Sequence, residues 1–158
     1  MAYSDGSLLN DKAGWGVVVY YRARALTKQG SLANSEVFDA EAMGAAQAIK
    51  TAEDIVKQDQ RVKEAHFFLD NTSVVKGLLG EAPVSSQREF VEFQHAAMRM
   101  APCKVLVSWV PGHKDIPGNE IADQLAKRGT ELPPQLYRPH KTFVKGGKAQ
   151  YPRTLLAH

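Results

Sequence analysis

The hydrophobic period of this chain switches from two residues to three-and-four and back again, and that alternation restricts it to a few layered folds. Gly14 to Ala25 (GWGVVVYYRARA) is rich in β-branched and aromatic residues, and Ala25 to Ala33 can return as its hairpin partner, so an antiparallel opening is expected. Phe38 to Gln58 then reads as a long helix, with Ala42, Ala45, Ile49, Ala52 and Val56 in the steps of a buried stripe. Ala65 to Leu69 is a short apolar strand, Asn71 to Gly80 a short helix ending at a glycine, and Ser85 to Met100 a further amphipathic helix. Cys103 to Val110 makes the last strand, with Val105, Val107 and Trp109 on one face. Pro117 to Arg128 is a helix with proline in its first turn and Gly129 just past its end. This order predicts an α/β domain with a mixed sheet. Trp15 and Trp109, both in strands with apolar neighbours, are expected in the core rather than as stacking platforms.

A chain of 158 residues with 44% hydrophobic content is enough for one domain with its own core. The single cysteine, Cys103, excludes an internal disulfide framework. No charged-then-apolar leader is present and no apolar run is long enough to cross a bilayer, so an intracellular, membrane-free protein is expected. The net charge of +3 is unevenly placed. Residues 1–130 are close to balanced, whereas residues 131–158 carry Arg138, Lys141, Lys145, Lys148 and Arg153 against Glu131 alone. With Pro133, Pro134, Pro139, Pro152 and Gly146-Gly147, that tail is expected to be mostly irregular, a linker or a phosphate-contacting arm, and the domain boundary falls at residue 130.

Four carboxylates stand where such groups are costly or prominent. Glu41 is in step with Ala45, Ala48, Ala52 and Ile55, so its side chain starts on the apolar face of its helix. Burying an unpaired ionised carboxylate costs several kcal/mol, and the first lysine along that helix is Lys50. Asp70 ends Phe67-Phe68-Leu69, at the carboxyl end of a strand, where ligand sites of open α/β sheets gather. Asp5 precedes Gly6-Ser7, and Asp123 lies ten residues beyond His113 on the last helix. Taken singly, Glu41 could serve the helix dipole, Asp70 could be an N-cap, Asp5 turn chemistry and Asp123 an ordinary polar position.

The wording and order of these segments, YSDGS, VFDAEA, LDNTSV and WVPGHKDIPGNEIAD, closely resemble the ribonuclease H family of type 1, from the first residues to about residue 129. The resemblance implies a ribonuclease H-like fold: a mixed five-stranded sheet, antiparallel at its start and parallel after, flanked by helices. It implies hydrolysis of the RNA strand of RNA/DNA hybrids to 5′-phosphate and 3′-hydroxyl ends. It further implies Asp5, Glu41, Asp70 and Asp123 as ligands of two magnesium ions, which manganese can replace. In the family's pattern Asp5 bridges both ions, Asp123 completes the nucleophile-side ion, and Glu41 and Asp70 the leaving-side ion. Oxygen-only ligands with no partner cations suit such hard ions, and no zinc-ligand spacing exists among the histidines. His113, in a loop from Gly112 to Pro117, corresponds to a histidine that assists proton transfer or product release, although a loop histidine can also be without a task. Gly6, Ser7, Asn10, Ser35, Asn71 and Asn119 are the expected substrate contacts, reading consecutive 2′-hydroxyls across a shallow minor groove.

The chain departs from the family pattern in two places. Cellular members often carry a Lys/Arg-rich helix before the last strand, yet Ser85 to Met100 has only Arg88 and Arg99 against Glu89 and Glu92. The segment Asn34 to Asp39 lacks the arginine and threonine that hold a DNA phosphate in many members, leaving Ser35 as a substitute. Weak hybrid binding by a monomeric isolated chain is therefore expected. Only Met1 to Ser4 precede Asp5, as though the chain were cut from a polyprotein, and the motif wording is most like the ribonuclease H domain of a non-LTR, LINE-type retrotransposon reverse transcriptase. A tethered polymerase would supply affinity through effective concentration. Two other readings remain: a non-catalytic hybrid-binding or connection domain, and a DNA-acting nuclease or integrase of the same superfamily.

Overall fold

A computed structural model of the chain describes residues 1–81, 86–134 and 155–157. Three antiparallel strands open it: β1 (Ala2–Leu9), β2 (Lys12–Tyr21) and β3 (Arg24–Leu32). Asn10 and Asp11, with φ of 49° and 59°, form the two-residue turn between β1 and β2, the left-handed pair that matches strand twist in a hairpin. Then follow α1 (Val37–Gln58), β4 (Glu64–Leu69), α2 (Thr72–Leu78), α3 (Gln87–Arg99), β5 (Lys104–Trp109) and α4 (Pro117–Gly129). A short β6 (Leu155–Ala157) closes the described chain. The sheet order is β3-β2-β1-β4-β5-β6, with β1, β4, β5 and β6 parallel.

The sequence-based layout is present. The first strand carries Asp5 inside it and runs on to Leu9, because every residue from Ala2 pairs in register with β2. Within the tail, expected to be mostly irregular, Leu155–Ala157 form β6 beside β5. The rest of that tail lies outside the described residues.

Two faces of the sheet are covered differently. On one, Ala13, Trp15, Val17 and Val19 of β2 and Phe67 and Leu69 of β4 join Ala45, Ile49 and Ala52 of α1 and Phe90 and Phe93 of α3 in the core. Glu36 and Asp39 close the start of α1 as a reciprocal capping box, which satisfies two of its orphan N–H groups. On the other face α4 lies flush on β2. A Cβ at Gly16 would stand 2.3 Å from the Ala122 carbonyl oxygen, and one at Gly14 equally close to that of Ala126. These two glycines set the depth of α4, and with it the height of Asp123 above the sheet.

Candidate active site

Alternation along β1 turns Asp5 and Gly6 to opposite faces, so neighbouring residues meet two different helices. Gly6 meets α1: a Cβ there would be 2.6 Å from both the backbone nitrogen and Cγ of Glu41. The missing side chain lets the first turn of α1 approach β1 closely enough to deliver Glu41 beside Asp5. Asp5, Glu41 and Asp70 each place a carboxylate oxygen within 4.8 Å of the others. Asp5 and Glu41 are buried and Asp70 half-buried.

Desolvation dominates the electrostatics of this trio. Burial first, and then the charge of Asp70, push the Asp5 carboxyl up to about 8, against the opposing hydrogen bond from the Gly6 N–H at 2.8 Å. The same two causes raise Glu41 to about 7. Three ionised carboxylates at this spacing repel one another, and either protons or a cation must neutralise them.

Asparagines hold the acids in place. Asn71, not Asp70, caps α2: its Oδ1 accepts from the N–H groups of Ser73 and Val74 at 2.9 and 3.2 Å. Its Nδ2 donates to Glu41 Oε2 at 2.5 Å. Asp70 is thereby released from the capping role that its position suggested. Asn119 is only 2% exposed, and its Nδ2 donates to Asp70 Oδ2 at 3.3 Å while its Oδ1 is buried without a hydrogen-bond partner among the described residues. Both amides, expected as substrate contacts, lie against carboxylates of the cluster. Gly112 closes against Asp70, since a Cβ there would meet Oδ2 at 2.8 Å.

A second group forms on the α4 side. His113, exposed and with a left-handed φ of 51°, Glu120 and Asp123 bring ligand atoms within 4.8 Å of one another. Asp123 thus stands with His113 rather than inside the trio, although its charge still reaches Asp5. The expectation of no partner cation is corrected here: Lys127 Nζ lies 2.6 Å from Asp123 Oδ2, one helical turn along α4. Sequence reasoning missed Glu120 and Lys127, both legible from their i+3 and i+4 spacing about Asp123.

The other expected contacts are dispersed. Ser7 is half-buried in β1 beyond the trio. Asn10 occupies the hairpin turn, about 17 Å of strand from Asp5. Ser35 Oγ donates to the Ala33 carbonyl at 2.9 Å. Trp15 is in the core as expected, but Trp109 is 48% exposed at the end of β5, with its indole N–H donating to the Asp70 carbonyl. The expectation of a buried Trp109 fails because β5 ends there, beyond the helices that cover its earlier residues. Among the described residues, no helix is long and apolar enough to cross a membrane.

The donor set fits divalent cations: three convergent carboxylates, oxygen ligands only, two of them held above the usual carboxylate range by burial first and then by the charge of Asp70. The family model for RNase H matches residues 1–131, the stretch that carries all of these groups. The chain belongs to the RNase H family. A Pol polyprotein of equine infectious anemia virus (isolate 1369) is 32% identical over 130 residues, 82% of this chain but only 10% of that protein. The chain thus spans about a tenth of such viral relatives. The ribonuclease H of Pseudomonas aeruginosa (strain LESB58) is 28% identical over 145 residues, covering 83% of this chain and 93% of that one. Among solved structures, LC11-RNase H1 in complex with an RNA/DNA hybrid superposes with a TM-score of 0.61 at 17% identity, over 80% of this chain and 96% of that chain, a likeness of fold.

Proposed function

We propose that the chain is a metal-dependent endoribonuclease that hydrolyses the RNA strand of RNA/DNA hybrids. The convergence of Asp5, Glu41 and Asp70 within 4.8 Å carries this reading. In the overall reaction a water oxygen bonds to phosphorus, the bond from phosphorus to the 3′ oxygen breaks, and the strand ends as 5′-phosphate and 3′-hydroxyl. Asp5, Glu41 and Asp70, with Asp123, would hold two magnesium ions, or manganese in their place. When bound, such ions neutralise charge on the phosphate and lower the pKa of water.

The chain's own groups do the positioning. Asn71 donates to one carboxylate oxygen of Glu41 and Asn119 to one of Asp70. Preorganised ligands do not have to be ordered during the reaction, which is where second-layer hydrogen bonds act. His113, on its exposed loop near Glu120 and Asp123, would deliver a proton to the departing 3′ oxygen or assist product release. The backbone around Gly6 and Ser7, beside Glu41, forms the surface where a ribose 2′-hydroxyl is distinguished from a deoxyribose. The similarity to viral Pol polyproteins supports a setting within a longer reverse transcriptase, and the motif wording supports a retrotransposon source.

Cleavage of a labelled RNA/DNA hybrid with magnesium, beside duplex DNA and duplex RNA, tests the reading. RNA-strand cutting of the hybrid alone, lost in Asp70→Asn, is the expected result. Failure to cut with either magnesium or manganese would favour a binding or connection domain, and cutting of duplex DNA would favour a DNA-acting enzyme of the superfamily.

A further inference from the structure

Lys127 holds an oxygen of Asp123, which the proposed function makes a metal ligand. Its Nζ is 2.6 Å from Asp123 Oδ2, the distance of a charge-assisted hydrogen bond. The side chains differ sharply in exposure, 56% for Lys127 and 13% for Asp123, so the lysine reaches in from solvent over a carboxylate that is almost enclosed. Its ammonium is stabilised first by Asp123 and, more weakly, by Asp5 and Glu120. One lysine charge therefore serves acids of both groups, the trio around Asp5 and the set of His113, Glu120 and Asp123.

We infer that Lys127 is a tethered counter-cation that competes with a divalent ion for Asp123. This rests on the metal-dependent reading above. A carboxylate oxygen holding an ammonium at hydrogen-bond distance cannot also hold a dication without bringing two positive charges into repulsive contact. An ion that takes Asp123 Oδ2 must therefore displace Lys127, and one on Oδ1 alone binds against its charge, while the trio, which has no ammonium at hydrogen-bond distance among the described residues, feels that charge only more weakly through Asp5. The exchange is easy because the lysine stem is flexible and more than half in water, so the ammonium can leave without disturbing α4. The tether keeps Asp123 neutralised when no metal is bound and makes loading sequential, first the trio and then Asp123.

Binding of Mn2+ to the full chain without nucleic acid, followed by titration calorimetry and by the loss of free-ion resonance signal, tests this. Lys127→Met keeps most of the stem and removes the charge; Lys127→Gln serves as a second neutral variant, and Lys127→Arg keeps the charge. Both neutral variants are expected to bind ion at the Asp123 side about three- to tenfold more tightly than wild type. The arginine variant should stay near wild type. Adding Asp123→Asn to Lys127→Met should abolish the gain, which a merely structural lysine would not produce. Unchanged affinity and stoichiometry in the neutral variants, with wild type binding metal at the trio, would overturn the lysine's role alone. A wild-type protein that binds no divalent ion would overturn the metal-dependent reading together with it.

Discussion

The indole N–H of Trp109 donates to the backbone carbonyl oxygen of Asp70 at 3.1 Å, tying the last residue of β5 to the acid at the end of β4. Beyond the paired register Leu69↔Trp109 the Val110 N–H still donates to the Leu69 carbonyl, and the indole is a side-chain extension of the sheet at the point where the site begins. Trp109→Phe keeps the aromatic surface and removes the donor. The expected outcome is a loss of about 1 kcal/mol in stability, with a several-fold lower kcat and little change in KM, measured by thermal unfolding and steady-state hybrid cleavage. A raised KM with unchanged kcat would mean that the ring contacts substrate rather than holding Asp70.

The raised carboxyls of Asp5 and Glu41 make stability depend on pH. Their folded values, about 8 and about 7, lie above the ordinary 3.8 and 4.5, so the folded state binds these protons more tightly than the unfolded state. Their contribution is complete below about pH 4 and is lost as pH rises through 7 and 8. In EDTA the melting temperature should fall across that interval, and magnesium should restore it more at pH 8 than at pH 5. Asp5→Asn should flatten the dependence and raise metal-free stability at pH 8 while abolishing cleavage. A wild-type melting temperature in EDTA that does not fall between pH 5 and 8 would contradict this.

Gly6→Ala places a Cβ against the backbone nitrogen of Glu41, a neighbour that cannot rotate away. The start of α1 must shift, at a cost of about 1–3 kcal/mol, and Glu41 must retreat from Asp5. Denaturant unfolding should show the loss, and cleavage measured well below the melting temperature should fall at least tenfold. Near wild-type activity would show that the close approach is not required.

At the opposite end of α1, Arg99 holds Glu53 through two bonds of 2.8 and 3.1 Å, with Lys57 at 3.1 Å. Glu53 is only 6% exposed, and the Arg99 hydrogen bonds are the first cause of its lowered pKa. Arg99→Ala leaves that carboxylate with one exposed lysine, at a cost of about 1–2 kcal/mol after allowing for the half-exposed guanidinium. Its kcat should be unchanged, because the pair lies at the other end of α1 from Glu41. A drop in kcat at a temperature where the variant remains folded would show that the two ends are coupled.

Much of the architecture was legible because period and punctuation are local. The stripe of α1, the Pro117 start of α4 and the strand ending at Asp70 follow from spacing alone, and the observed boundaries differ by one or two residues. Trp109 was misjudged for a physical reason: a tryptophan among apolar strand residues has the same local signature whether a helix covers it or the strand has run past its cover. The carboxylate partners of Asn71 and Asn119 were not legible, because an asparagine's partner is not encoded nearby; each bonds a carboxylate 30 or more residues away.

The sequence by itself determined which elements form and in what order, and that three of the four acids fall at a helix start, a strand end and a final helix. Those features depend on side-chain period, capping and turn chemistry, all short-range. That Asp5 lies inside a strand came from the pairing of β1 with β2. Only the tertiary structure decided which acids meet. Asp5, Glu41 and Asp70 converge because Gly6 admits α1, while Asp123 stands apart with His113 and pairs with Lys127, at a height set by Gly14 and Gly16. Close approach between elements depends on what is absent from a side chain as much as on what is present, and no window of sequence states which backbone will come to fill the space.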